Sequence, residues 1–259
     1  MRIGFLGAGN MASAILRGMR DMEKGCYDIS EAAVRRAEQE LGARGFSSGE
    51  ALCAWADIVV LAVKPQVLEG AGRPLAGALA GKAVASIAAG WSLERLTALL
   101  PESRLCRVMP NTPAMVGAGM AAIAKETTFA PAEFDCIREV FSAIGRVAVV
   151  EERLFDAVTA VSGSGPAYLY MVIEAMADAG VREGLSRASA LELAAQTALG
   201  SAKMVLESGL HPAALRDMVC SPGGTTIDAV CTLEEKGLRA AVESAVRVCA
   251  EKSRAMSKQ

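Results

Sequence analysis

A glycine-rich turn near the start of the sequence has the composition of a phosphate-binding site. Gly7-Ala8-Gly9-Asn10-Met11-Ala12 follows the short apolar stretch Ile3–Leu6 and opens a segment with helical spacing. Between a strand and a helix, the first glycine permits a tight turn, the second lets a pyrophosphate approach the backbone, and the alanine keeps the helix close to the strand. The helix N-terminus adds unpaired N–H groups and partial positive charge. The turn predicts a dinucleotide site, and the alternative is a glycine turn without a ligand.

A second glycine turn lies much further along the chain, in Cys220-Ser221-Pro222-Gly223-Gly224-Thr225-Thr226. It also leads into a predicted helix, so that backbone N–H groups and threonine hydroxyls can meet an anion. Because the first turn already serves the dinucleotide, the second indicates another anion, and a substrate carboxylate fits. The alternative is a Gly-Gly turn in which the threonines only cap the helix.

Three further segments follow predicted strands, at the ends where open α/β sheets bind their ligands. Ala62-Val63-Lys64-Pro65 ends one strand, and small residues including Ala88 and Ala89 end the next and leave room for a flat ring. Asn111 and Thr112 lie between two prolines after a third strand, in a rigid loop suited to a site wall. The alternative is a set of ordinary strand-to-helix connections.

Asp28 lies where a dinucleotide fold often carries an acid for the hydroxyls of the adenosine ribose. Cys26–Ile29 is a weak strand, however, so Asp28 either binds the ribose or belongs to a helix start that Ser30 caps. Arg35 and Arg36 either meet a 2′-phosphate or lie on a solvated helix face. These residues leave the choice between NADPH and NADH open.

The elements that must position these residues change character near residue 151. Up to that point, short branched apolar stretches alternate with helical segments, which predicts a doubly wound α/β sheet. The predicted strands are Ile3–Leu6, Ile58–Val63, Ala83–Ala88, Leu105–Met109, Met120–Ala124 and Val147–Val150. Beyond it, the segments 152–161, 166–182, 187–208, 212–219, 226–236 and 238–256 have helical patterns. We therefore expect a Rossmann dinucleotide-binding domain over residues 1–151 and an all-helical domain over residues 152–259.

Charge and cysteine usage exclude several classes of protein. The 27 basic and 29 acidic residues give a net charge of −2, without the basic excess that nucleic-acid binding needs. Seven cysteines, none in a C-x-x-C pair, are typical of free thiols in a reducing compartment. With a single histidine, a zinc site has little support, and we expect no metal. The sequence shows neither a signal peptide nor a membrane span, so we expect a cytoplasmic protein.

The segment Tyr168–Met176 is almost unbroken apolar and carries a single charge. A helix that is apolar on most sides must be buried on most sides. About a hundred residues can hardly surround such a helix, which favours a dimer whose helices interdigitate. The alternative is a central helix within one monomeric bundle.

Taken together, these motifs resemble those of the pyrroline-5-carboxylate reductases, over essentially the whole chain and in the same order. The Ser-Pro-Gly-Gly-Thr-Thr string is highly specific to that family, whereas the first glycine turn alone is not. The segments that carry the resemblance are Gly7–Ala12, Ala62–Pro65, Asn111-Thr112-Pro113, Ser162–Tyr168, His211-Pro212 and Ser221–Thr226.

The resemblance implies a fold, a reaction and roles for particular residues. The fold is a Rossmann domain followed by a helical dimerisation domain, with dimers that often assemble into larger rings. The reaction is hydride transfer from NADPH, with NADH also possible, to the imine carbon of 1-pyrroline-5-carboxylate, giving L-proline. Backbone N–H groups from Gly223 to Thr226, beside Ser221, would hold the substrate carboxylate, and the Thr226 hydroxyl would contact the ring nitrogen. Glu152 would lie near the substrate, and the dinucleotide would be lined by Gly7–Ala12, Ala62–Pro65, Ala88, Ala89 and Asn111.

Two other functions remain as alternatives. A β-hydroxyacid dehydrogenase shares the two-domain plan but needs a lysine on the helix after a Gly-Ser turn. The corresponding turn here is Ser162-Gly163-Ser164-Gly165-Pro166, and Leu169-Tyr170-Met171 follow it without a lysine. Lys203 lies on a different helix and has the pattern of a solvated side chain. A catalytically silent dinucleotide-binding dimer would not need the second anion turn.

Overall fold

The computed structural model describes residues 1–257 and confirms the alternation of strands and helices in the first part of the chain. Its strands are β1 (Ile3–Leu6), β2 (Lys24–Tyr27), β3 (Arg44–Gly45), β4 (Ile58–Leu61), β5 (Ala83–Ser86), β6 (Arg104–Met109), β7 (Gly119–Ala124) and β8 (Gly145–Val150). Its helices are α1 (Asn10–Gly18), α2 (Glu31–Leu41), α3 (Gly49–Trp55), α4 (Leu68–Gly72), α5 (Ala76–Leu79), α6 (Leu93–Leu99), α7 (Pro131–Ser142), α8 (Phe155–Val158), α9 (Gly165–Arg182), α10 (Arg187–Ser208), α11 (Pro212–Val219), α12 (Thr225–Glu235) and α13 (Leu238–Ser257).

The strands form one sheet in the order β3-β2-β1-β4-β5-β6-β7-β8. β1 pairs in parallel with both β2 and β4, so the order reverses between β1 and β4. In a doubly wound sheet this reversal opens a crevice beyond the carboxyl ends of the strands. β1, β4 and β5 are buried along their whole length, as expected of strands covered by helices on both faces.

β7 departs from the parallel pattern, because it runs antiparallel to β6. The connection covers only residues 110–118 and contains a short 3₁₀ helix, Thr112–Val116. A parallel crossover needs a dozen or more residues, so this link is too short for one. β8 then pairs in parallel with β7, and α7 makes the crossover.

Two apolar clusters cover the two faces of the sheet. One contains Ile15 and Leu16 of α1 together with Phe141 of α7. The other contains Leu52 of α3 and Leu96 of α6. Burial of each such side chain contributes about 1.5–3 kcal/mol, so these clusters hold the helices against the sheet.

Several helices begin at polar residues whose side chains accept a backbone N–H group. Ser30, Ser48, Ser92 and Ser186 cap α2, α3, α6 and α10, and His211 Nδ1 accepts from Ala213 N at 3.2 Å at the start of α11. Such caps stabilise a helix by about 1 kcal/mol each. The cap at Ser30 was predicted from the sequence and is confirmed.

The segment predicted as one helix over residues 152–161 is instead three short elements. A 3₁₀ turn covers Glu152–Leu154, α8 follows, and a π-helical turn covers Thr159–Gly163. Short π-helical turns occur often at functional sites. Here the π-helical turn contains Ser162 and Gly163 and ends directly before Ser164.

The chain divides into two compact units. The first contains Met1–Ser164 together with the chain from Cys249 onward, and the second contains Gly165–Val248. Among the described residues, the second unit is entirely helical between its turns. Within residues 1–257, no helix is long and apolar enough to cross a lipid bilayer.

The apolar face of α9 is uncovered in the single chain. Leu169, Tyr170 and Met171 are 57%, 59% and 69% exposed, and Ala177 is buried. A central helix of a monomeric bundle would be covered on these sides, and α9 in the single chain is not. This exposure is the arrangement expected of a helix that packs against another subunit.

Candidate active site

The first glycine turn has the geometry that a pyrophosphate needs. Gly7 has φ +103°, and a Cβ there would lie 2.8 Å from the backbone oxygen of Ala62, so only glycine fits. At Gly9, by contrast, a Cβ would meet no atom within 4 Å. Gly9 is the N-cap of α1, and no side chain caps the helix. The open space and the free helix start fit a dinucleotide pyrophosphate.

Asp28 lies at the end of β2 and against this turn. Its Oδ2 accepts a hydrogen bond from Ala8 N at 2.8 Å, and its Oδ1 accepts one from Ser30 N at 2.9 Å. Asp28 therefore follows a strand and also lies beside the helix start that Ser30 caps. The two interpretations from the sequence are compatible, and contact with the ribose stays a prediction. The carboxylate is half-buried at the place where Rossmann folds bind the adenosine ribose.

The segments after β4 and β5 lie at the same edge of the sheet as the glycine turn, because β1, β4 and β5 are neighbours. Ala62–Pro65 follows β4, and Ala88 and Ala89 follow β5. The buried indole of Trp91 joins the two segments by donating from Nε1 to the backbone oxygen of Pro65 at 3.0 Å. The first unit thus brings these predicted residues to one edge of the sheet.

Asn111 follows β6 and is held by both ends of its amide. Its Nδ2 donates to the backbone oxygen of Ser162 at 3.1 Å, and its Oδ1 accepts from Met120 N at 2.8 Å. The side chain therefore ties the loop after β6 to the π-helical turn. The role of Asn111 toward the dinucleotide stays a prediction.

A buried ion pair lies next to these loops, and sequence reasoning missed it. Arg107 on β6 is 5% exposed, and its Nη1 lies 3.0 Å from Glu152 Oε1. The same oxygen accepts from Leu93 N at 2.6 Å, at the start of α6. The guanidinium carbon lies 4.5 Å from the ring centroid of Phe155. Burial lowers the pKa of Arg107, and the hydrogen bond with Glu152 opposes that shift.

The signal for this pair was an arginine inside an apolar strand, because buried arginine needs a partner. The partner, Glu152, lies 45 residues away in the chain, so spacing could not reveal it. Glu152 was predicted near the substrate. The structure shows that its Oε1 holds Arg107 and the first turn of α6, and contact with the substrate stays a prediction.

The second glycine turn belongs to the second unit. Gly223 has φ +65°, and Gly224 N donates to the backbone oxygen of Ser221 at 3.0 Å. A Cβ on Gly224 would collide with the Ser221 hydroxyl. Gly224 is the N-cap of α12, and no side chain caps that helix.

The two threonines therefore occupy the first turn of α12 instead of its cap position, contrary to the simple capping alternative. Thr225 is exposed, whereas Thr226 is half-buried. The N-terminal N–H groups of α12 are available to an anion, as expected at an uncapped helix start. Within residues 1–257, no group of three His, Cys, Asp or Glu side chains could hold a metal ion.

Comparison with known proteins agrees with this geometry over the whole chain. Residues 152–256 match the family described as pyrroline-5-carboxylate reductase dimerisation, and residues 2–90 match NADP oxidoreductase, coenzyme F420-dependent. The pyrroline-5-carboxylate reductase of Methanosarcina acetivorans is 44% identical over 266 residues, which cover 100% of this chain and 98% of that protein. The chain belongs to the pyrroline-5-carboxylate reductase family. The resemblance inferred from the motifs is thereby confirmed.

Solved structures separate this family from the dehydrogenase alternative. A Plasmodium falciparum pyrroline carboxylate reductase with NADP bound has a TM-score of 0.89 at 32% identity, over 99% of this chain and 98% of that one. A Mycobacterium tuberculosis 3-hydroxyisobutyrate dehydrogenase has a TM-score of 0.52 at 16% identity, over 72% of this chain and 67% of that one. The second likeness shows a shared fold alone. The pyrroline-5-carboxylate reductase family thus accounts for both units.

Proposed function

We propose that this pyrroline-5-carboxylate reductase family member reduces 1-pyrroline-5-carboxylate to L-proline, with NADPH as the hydride donor. The observation that carries the proposal is the 44% identity to a named reductase over the whole of this chain. The uncapped glycine turn at the strand reversal supports it, because this turn fits a dinucleotide. The NADP in the Plasmodium falciparum structure supports the phosphorylated cofactor.

The first unit would bind the cofactor through its backbone. N–H groups at the start of α1 would hold the pyrophosphate, with Gly9 leaving the space that the phosphates need. Ala62–Pro65 and the small residues Ala88 and Ala89 would line the dinucleotide further along the edge of the sheet. The bound cofactor would supply the hydride.

The second unit would bind the imine through the start of α12. N–H groups from Gly223 to Thr226, beside Ser221, would hold the carboxylate. The Thr226 hydroxyl would hydrogen-bond the ring nitrogen and orient the imine carbon. A protonated imine is already an activated electrophile, so no strong catalytic acid is required, and good orientation can supply about 7–11 kcal/mol of the barrier reduction. The hydride then adds to the carbon, and the nitrogen keeps its proton as an amine.

Purified protein with 1-pyrroline-5-carboxylate and NADPH tests the proposal through the loss of absorbance at the reduced nicotinamide band. We expect turnover with the imine and none with simple 2-oxo acids under these conditions, and none with 3-hydroxy acids when NADP⁺ or NAD⁺ is supplied instead. Absence of turnover with either reduced cofactor at saturating imine would reject the reductase activity. Oxidation of a 3-hydroxy acid with NADP⁺ or NAD⁺, seen as a gain in the same absorbance, would instead favour the β-hydroxyacid dehydrogenase chemistry.

We also infer that the protein is at least a homodimer, supported by the dimerisation family match and the exposed apolar face of α9. Light scattering at low micromolar concentration distinguishes a monomer, a dimer and a larger ring of dimers. An active monomer would contradict the inference.

All seven cysteines are free thiols, which supports the cytoplasm as the compartment, and cell fractionation tests that expectation.

A further inference from the structure

The direction of the Asp28 side chain is fixed by two backbone donors. Ala8 N, inside the phosphate-binding turn, donates to Oδ2, and Ser30 N donates to Oδ1. Each oxygen keeps a second lone pair for another donor. The carboxylate is thus a preformed acceptor at the end of β2, beside the turn that would hold the pyrophosphate.

An acid at this position favours an unphosphorylated ribose. A carboxylate at the end of the second strand accepts hydrogen bonds from ribose hydroxyls, and a hydrogen bond to a charged group is stronger than one between neutral groups. NADPH carries a phosphate on the 2′-oxygen in place of a hydroxyl. That phosphate removes a hydrogen-bond donor. It would also bring negative charge close to the Asp28 carboxylate, and like charges repel.

Neither arginine of the following helix pairs with Asp28 in the described residues. Arg35 pairs with Glu31 at 3.0 Å, one turn away on the exposed side of α2. Arg36 donates from Nη2 to the backbone oxygen of Ala8 at 3.3 Å and lies 3.4 Å from the Ser13 hydroxyl. Both guanidinium groups have protein acceptors, and within residues 1–257 neither forms an ion pair with Asp28, so the Asp28 carboxylate keeps its charge unpaired beside the turn.

We propose that Asp28 is a cofactor-specificity residue that opposes the 2′-phosphate and keeps NADH usable alongside NADPH. Its part in turnover rests on the proposed reductase function. Its effect on dinucleotide affinity does not depend on that function, because it requires only the first glycine turn. The two ideas can therefore fail separately.

Calorimetric titration of the full-length protein with NADP⁺ and with NAD⁺, without imine, tests the proposal. Asp28→Asn removes the charge and keeps a carbonyl oxygen for Ala8 N, and Asp28→Ser also makes room for the phosphate. We expect both variants to raise the affinity ratio of NADP⁺ to NAD⁺ by about tenfold or more, through tighter NADP⁺ and weaker NAD⁺ binding. Asp21→Asn is the matched control, because this exposed residue precedes β2 at the opposite end of the strand.

The control should leave the ratio within about twofold of the native value, which separates a local effect of Asp28 from a change in net charge. A ratio unchanged in both Asp28 variants would overturn the proposal. An equal loss of affinity for both dinucleotides would also overturn it, since Asp28 would then only support the turn. A shifted affinity ratio in a protein that never turns over the imine would uphold Asp28 and reject the reductase activity.

Discussion

Removal of the Glu152 carboxylate should destabilise the first unit, because it leaves the Arg107 guanidinium without its anion. The side chain of Arg107 is 6% exposed and that of Glu152 is 23% exposed. Breaking a buried pair by deleting one partner costs about 3–5 kcal/mol, and the partial exposure of Glu152 places this pair near the lower end. Glu152→Ala also leaves Leu93 N without its acceptor, which adds about 1 kcal/mol.

Glu152→Gln separates the charge from the hydrogen bond. Glutamine keeps an oxygen for Leu93 N and removes only the charge, so we expect a loss of about 2 kcal/mol in the free energy of unfolding. The double variant Arg107→Met/Glu152→Gln buries no charge at this place. Its loss should therefore be smaller than the sum of the two single losses by at least about 1 kcal/mol.

Urea denaturation at one fixed protomer concentration measures these differences, because the stability of an oligomer depends on concentration. Losses that simply add within about 0.5 kcal/mol would refute a coupled buried pair. The kinetics of folded Glu152→Gln address the predicted position of this residue near the substrate. A contact with the imine would raise KM, whereas a purely structural carboxylate would leave KM unchanged.

Three further predictions concern separate parts of the chain. Thr226→Val should lower kcat/KM about 5- to 150-fold without changing dinucleotide affinity, whereas Thr225→Val should lower it several-fold less; full activity of folded Thr226→Val would exclude the assigned role. Arg104 holds the pKa of Glu133 below its usual range, so this pair contributes stability above about pH 4.5 that is lost as the pH falls through the lower folded pKa. Glu133→Gln should therefore melt earlier than native protein at about pH 7, and the gap should shrink near pH 3; a constant gap would contradict this. Burial raises the thiol pKa to about 11 at Cys26 and Cys53 and to about 12 at Cys106. Iodoacetamide at about pH 8 should therefore leave these three thiols unmodified until the protein unfolds, and peptide mass spectrometry measures the modification.

The sequence was most informative where pattern and local chemistry agree. β1 is Ile3–Leu6 as predicted, and α10 and α11 have the predicted bounds. Serine caps and Gly or Pro punctuation set these limits, and such signals act within a few residues. The glycine turn at the start of α1 was likewise readable, because its function depends on backbone geometry that only glycine allows.

Features that depend on tertiary contacts were harder to predict from the sequence. The sequence predicts only a weak strand at β2, because Gly25 and the polar residues before it have low strand propensity. In the structure β2 is nevertheless paired on both sides, by β1 and β3. A Cβ on Gly25 would lie 2.7 Å from the ring of Phe46, so close packing required the glycine. β3, with two residues, was too short to leave a pattern. The Arg107 pair was invisible because its partner comes from a distant segment.

The first compact unit is assembled from two separate stretches of the chain, and this has a consequence for the order in which it can be completed. Ser253 Oγ donates to Asp156 Oδ1 at 2.6 Å, and Cys249 Sγ lies 3.2 Å from Ser164 Oγ. Residues 165–248 must leave the ribosome before these contacts can form. During synthesis, the dinucleotide-binding sheet can therefore form well before Asp156 and Ser164 acquire these contacts with α13.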